Sequence, residues 1–159
     1  MKVTIYAHGK MSEAFYGEAC AAYEKRLTTL WPLTVVEAPE ARLPQNPSPA
    51  QIEAALAAEA KAALAKIPRR AYVIALCIEG KMLDSPALSR KMEEAVLGGC
   101  GEIWFLIGSS HGLAPELKAR ADLRLSISPM TFPHQLARVI LCEQIYRAAQ
   151  IAKGTAYHK

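Results

Sequence analysis

No stretch of this sequence approaches the roughly 20 consecutive apolar residues that a membrane-spanning helix requires. The opening MKVTIYAHGK has too short an apolar run for a secretory signal. These absences predict a cytoplasmic protein. Zinc-finger and redox spacings are missing as well: Cys20, Cys77, Cys100 and Cys142 stand far apart, with no C-x-x-C pair and no histidine at a ligand's distance. They read as reduced thiols that pack as small hydrophobes, with Cys100 in its GGCG turn the one placed for exposure. No metal is expected. G-x-G-x-x-G and Walker motifs are also lacking, which leaves NAD and ATP sites unsupported.

What is present suits one domain over residues 1–159, with no internal repeat. That length can bury a core without disulfides or metals. A content of 52% apolar and 21% charged residues is ordinary for a soluble globular chain. The net charge of +4 is unevenly spread. Residues 1–117 carry 12 Lys+Arg against 13 Asp+Glu, whereas residues 118–159 carry 7 against 2, with His134 and His158 in addition. A basic carboxy-terminal quarter on a neutral body fits a polyanionic partner, and fits a solvated helix face equally well.

Residues 2–7 are β-rich. Ser12 can cap a helix running toward Leu30, with Phe15, Ala19, Ala22, Tyr23 and Leu27 at helical spacing. Residues 34–38 form a short strand. The segment PEARLPQNPSP, with four prolines in eleven residues, must be an exposed loop. Residues 50–67 are helical, with Ile52, Leu56, Ala60, Ala63 and Ile67 on one face. The continuous apolar runs AYVIALCI (71–78) and EIWFLI (102–107) are strands covered on both faces. A helix over 86–97, a short helix over 115–122, a strand over 123–128 and a long helix over 134–153 complete the pattern. Alternating strands and helices mean an α/β domain with a mostly parallel sheet flanked by helices. In the last helix Leu136, Val139, Ile140, Leu141, Ile145, Ala148 and Ile151 cover more than half the circumference, so it is buried inside the fold or between two subunits.

Ligands of open α/β sheets bind beyond the carboxyl ends of the strands. Three such ends carry suggestive loops: Glu79-Gly80-Lys81, Gly108-Ser109-Ser110-His111-Gly112, and Pro129-Met130-Thr131-Phe132-Pro133-His134. Glycines admit close main-chain approach and prolines hold a loop at low entropic cost. His8 reads as a surface turn residue. His111 and His134 divide between structural and ligand-contacting roles. His158, in a tail that ordinarily frays, could contact RNA together with its aromatic and cationic neighbours. Glu143 and Arg147 have the spacing of a helix-stabilising pair. Arg138 has no acidic residue four positions away, which makes it the better candidate for an anionic ligand.

The runs LIGSSHGL, LSISPMTFPHQLARVILCEQIYRA and the terminal AYHK, with KVTIYAHGK, AYEKRL and IEGKMLDSPALS earlier, resemble the RlmH family (formerly YbeA), a single-domain branch of the SPOUT methyltransferases. The likeness runs the whole length, and its specificity lies in the combination of MTFPHQxxRVxLxEQxYRA with the YHK ending. The resemblance implies a SPOUT-type fold with a carboxy-terminal trefoil knot and a homodimer built through the last helix. It implies transfer of a methyl group from S-adenosyl-L-methionine to N3 of a pseudouridine in helix 69 of 23S rRNA, within the assembled 70S ribosome. Carried over by position, the cofactor would be held by Leu76, Gly108, Ile127, Ser128, Pro129, Met130, Thr131 and Phe132. The family's functional residues would be His134, Arg138, Tyr157, His158 and Lys159, with His134 or His158 as proton acceptor, Arg138 and Lys159 on RNA or cofactor, and the tail reaching the partner's site.

Ser109 departs from the pattern, since the family usually has a second glycine after Gly108. A serine forced into positive φ there would cost of order 1 kcal/mol. Two other readings follow. Ser109 favours a ribosome-binding assembly protein without turnover. A methyltransferase for another RNA, such as tRNA, is disfavoured by the lack of an appended RNA-binding domain.

Overall fold

The computed structural model describes residues 1–158, the side chain of His158 excepted. Five parallel strands form one sheet in the order β2-β1-β4-β3-β5. The strands are β1 (Val3–His8), β2 (Leu33–Ala38), β3 (Tyr72–Met82), β4 (Ile103–Ile107) and β5 (Leu123–Ser126). The helices are α1 (Ala14–Leu27), α2 (Pro49–Leu64), α3 (Ser85–Leu97), α4 (Pro115–Arg120) and α5 (His134–Ala152), and a single 3-10 turn, Ala156–His158, follows. Every residue of β1 and β4 is buried; β4 is the continuous apolar run expected of an inner parallel strand, while β1 buries Thr4 and His8 among its apolar residues.

Period-two alternation sorts these strands onto two cores. Val3, Ile5, Ile74, Ile103, Phe105 and Leu125 face one side, where they meet Cys20 and Leu27 of α1, Leu88 and Met92 of α3, and Leu141 and Ile145 of α5. Tyr6, Val73, Ala75, Trp104 and Leu106 face the other, against Ala60 and Ala63 of α2 and Leu117 of α4. Register carries the alternation across the sheet, with Val3 opposite both Leu33 and Ile103, and Ile103 opposite Tyr72. The proline-rich segment ends where Ser48 closes a capping box with Gln51 and Pro49 opens α2. The cysteines are free thiols, Cys20 and Cys142 buried, Cys77 and Cys100 half-buried.

Three expectations need correction. Ser12 is not the cap of α1; Glu13 holds that position without a side-chain hydrogen bond. The segment entering α1 is instead tied to α5: Gln135 Oε1 accepts from the amides of Ser12 at 3.0 Å and Glu13 at 3.1 Å, while its Nε2 donates to Ser12 Oγ at 2.8 Å. Along α1, Cys20 and Leu27 are buried, while Phe15 is 60% exposed and Ala22 is exposed. His8 is no surface turn residue: it ends β1, is buried, and pairs through Nδ1 with the carbonyl of Ile107 at 3.3 Å.

The third concerns β3, which does not end at Ile78. It pairs with β5 through Ile74, Ala75 and Leu76, leaves the ladder for four residues, and rejoins with Lys81 opposite Leu125 and Met82 opposite Ser126. Gly80, within the excursion, is crossed so closely that an added Cβ would lie 2.7 Å from the carbonyl carbon of Leu125 and 2.8 Å from that of Arg124. Only glycine lets the two backbones pass at that distance.

Candidate functional site

The three strand ends converge on one cavity of about 710 Å³, within the usual size range of small-molecule sites. The turn after β4 contributes Gly108 through Leu113, and the segment from β5 to α5 contributes Leu125 through Ser128 and Met130 through His134. The excursion of β3 adds Leu76 through Glu79, and Lys118 comes from α4. Of the residues expected to hold a cofactor, Leu76, Gly108, Ile127, Ser128, Met130, Thr131 and Phe132 line the cavity; Pro129 does not.

Local hydrogen bonds shape both loops. Ser126 Oγ donates to the carbonyl of Ser128 at 3.0 Å, and Ser128 Oγ accepts from the amide of Met130 at 3.0 Å. Both bonds are internal to the β5–α5 segment. Opposite it, the amide of Gly112 donates to the carbonyl of Ser109 at 2.9 Å, closing the glycine turn. Gly108 is enclosed: an added Cβ would stand 2.4 Å from both the carbonyl carbon and the oxygen of Gly112. Both glycines can present only main chain to the cavity. Ser109 adopts no positive φ; among the described residues Gly9, Gly99, Gly112 and Gly154 do so. The departure from a second glycine thus carries no backbone strain.

The walls are apolar, with charge confined to one place. Lys118 donates to the carboxylate of Glu79, and that contact draws the Glu79 carboxyl below its ordinary range. Burial, with Glu79 nearby, pushes the Cys77 thiol up and keeps it protonated. Lys118 carried no signal in the sequence, since nothing about a short helix announces which strand end it will meet.

His134 occupies the first turn of α5 and lines the cavity. Its Nε2 would lie 3.3 Å from a Cβ added to Gly9, so the ring sits over the turn that follows β1. His111 also lines the cavity, exposed at its rim, with Nδ1 3.4 Å from the hydroxyl of Ser110. Arg138 lies elsewhere. It is 2% exposed, bonded through Nη1 to Glu37 at 2.5 Å and through Nη2 to the carbonyl of Gly9 at 2.9 Å. The Arg138 guanidinium holds the Glu37 carboxyl below the usual carboxylate range. The residue singled out as lacking a local partner thus has a distant one, and its guanidinium braces the turn beneath His134.

Tyr157 is packed edge-on against Tyr146 with ring centroids 4.8 Å apart, and the Arg147 guanidinium lies 4.9 Å from its ring centre. Arg147 also forms the expected pair with Glu143, at 2.7 Å. Tyr157 does not line this chain's cavity. Lys159 and the side chain of His158 lie outside the described residues. Among those described, no three histidine, cysteine or carboxylate side chains cluster to hold a metal. No described helix is long and apolar enough to cross a membrane.

Residues 1–158 match a family model described as predicted SPOUT methyltransferase. Among solved structures, a probable methylase family protein from Haemophilus influenzae Rd KW20 is similar with a TM-score of 0.51. The match covers 99% of this chain and 70% of that one, at 14% sequence identity. At that identity the likeness is one of fold.

Proposed function

The chain belongs to the SPOUT methyltransferase family, and from that premise we propose that it methylates N3 of a pseudouridine in helix 69 of 23S rRNA within the assembled ribosome, using S-adenosyl-L-methionine, as RlmH enzymes do. The observation that carries the reading is the convergence of seven residues, matched by position to a cofactor loop set, on one cavity at the carboxyl ends of β3, β4 and β5.

The residues present fit that cofactor. Leu76, Ile107, Ile127 and Phe132 offer apolar walls to an adenine ring, while Gly108 and Gly112 offer only main-chain groups for its polar edge. When bound, S-adenosylmethionine supplies a methyl group already activated by its positively charged sulfur. The protein's share is to set the acceptor nitrogen in line and to receive its proton. Among the described residues His134 is the imidazole set at the foot of the β5–α5 loop, and we assign it to accept the N3 proton. Arg138 acts through the carbonyl of Gly9, fixing the turn on which that ring rests.

A homodimer completes the reading. Leu136, Val139 and Ile140 on α5 remain only half-buried in the single chain, and Phe15 of α1 and Met130 of the cavity loop are well exposed. A second copy seated there would cover this apolar surface and bring Tyr157, His158 and Lys159 to its own cavity. The unstrained conformation of Ser109 supports turnover over the non-catalytic alternative.

Calorimetric titration of S-adenosylmethionine tests the site. Native protein should bind one equivalent per chain, and Gly108→Ala should not bind, because the new Cβ collides with the Gly112 backbone. Native protein that takes up no cofactor would overturn the reading.

A further inference from the structure

Ser109 is tied to the body of the molecule by a bond outside its own turn. Its hydroxyl donates at 3.0 Å to Oε2 of Glu59, on α2, and Oε1 of the same carboxylate accepts from the amide of Ala41 at 2.9 Å. Glu59 is only 7% exposed, and a carboxylate so enclosed is costly unless each oxygen is hydrogen-bonded. Both oxygens are. The carboxylate also raises the Tyr6 hydroxyl's pKa, second to the effect of burial.

Ser109 lines the large cavity on one side and, with Glu40, Glu59 and His111, a smaller one of about 230 Å³ on the other. Ser110 and His111 also line both, so the turn that carries Ser109 is the partition between them. We propose that Glu59 is a positioning residue for the cavity's ligand: by holding Ser109 it fixes the distance of the Gly108–Gly112 turn from the β5–α5 loop opposite. A glycine at position 109 could not be held this way, so the serine makes the turn's position depend on α2. The inference rests on the cavity being the S-adenosylmethionine site. It adds to that reading a residue outside the cavity that governs affinity.

The test is titration of S-adenosylmethionine into the native chain and into Ser109→Ala, Glu59→Ala, the double variant and Glu59→Gln, with the ligand-free melting temperature of each. Loss of a hydrogen bond to a charged acceptor should weaken binding about tenfold in Ser109→Ala and in Glu59→Ala. The double variant should be no weaker than either single one, since all three lack the same bond. Glu59→Gln should stay within about twofold of native, because a carboxamide accepts from Ala41 and donates to the Ser109 hydroxyl. Ser109→Ala leaves α2 and its capping box intact, so the question stands even if Glu59→Ala does not fold. Lower melting temperatures with an unchanged Kd would mark the bond as structural only and overturn the inference. Failure of the native chain to bind would overturn the cofactor reading and this inference with it.

Discussion

Arg138 carries a full charge where almost no solvent reaches, and what holds it there is remote in sequence. Glu37 lies 101 positions away and Gly9 lies 129 away, so no window around Arg138 could have announced either. Local spacing does reveal Arg147, whose partner is one helical turn earlier. A buried ion pair broken on one side is strongly destabilising. The Glu37 side chain is 37% exposed, however, so its loss of partner is softened by water. Arg138→Met should cost about 2–4 kcal/mol at neutral pH. The sign of its pH dependence follows from Glu37, whose carboxyl is held low in the folded state by Arg138. That stabilisation is complete above the unfolded carboxylate value of about 4.3 and is lost as pH falls through the lower folded value. The gap in melting temperature between native and Arg138→Met should therefore be widest near neutrality and shrink in acid. A gap that does not change with pH would show that Glu37 contributes nothing through this pair.

Strand β3 marks the limit of reading elements from periodicity. Its apolar half is plain in AYVIALCI, but Gly80, Lys81 and Met82 look like a polar loop, and only the return of β5 makes Lys81 and Met82 strand residues. On α1 the expected apolar face is kept in part: Leu27 is buried and Tyr23 packs against the core, while Phe15 and Ala22 are exposed. Strand β4 was legible because its continuous apolar run suits a place buried on both sides, whereas β1 is buried throughout despite Thr4 and His8, and Ile78 at the end of the other apolar run is exposed. The crossing at Gly80 yields a pair of substitutions that differ only in place. Gly80→Ala drives a methyl group into the β5 backbone, and should cost about 2–3 kcal/mol, or more if the strands separate. For a chain of this size that is about 5–10 °C in melting temperature. Gly101→Ala meets nothing within 4 Å and has no positive φ, so its melting temperature should stay level or rise slightly. Equal behaviour of the two in thermal unfolding would contradict the close crossing.

At the scale of the whole molecule, the α/β class and parallel sheet followed from the alternation of elements, and the cavity's position followed from the rule that strands present ligands at their carboxyl ends. The sheet order β2-β1-β4-β3-β5 did not follow, because no local pattern states which strand lies beside which. Nor did the placing of the polar residues, which depends on that order: His134 lines the cavity, His8 is buried against the carbonyl of Ile107, and Tyr157 packs on Tyr146 of α5. The basic carboxy-terminal quarter, +5 over residues 118–159 against −1 before them, does not gather into one free patch: Lys118, Arg120, Arg138 and Arg147 each pair with a carboxylate. The proposed methyl transfer to the ribosome is tested by incorporation of labelled methyl from S-adenosylmethionine. Native protein and a variant ending at Ala156 would be tested against 70S ribosomes lacking the modification, with free 23S rRNA and tRNA alongside. Label from the native protein should appear only on ribosomes, mapping to helix 69, and the truncated variant should give none. Label on tRNA, or none on any substrate, would contradict the proposal.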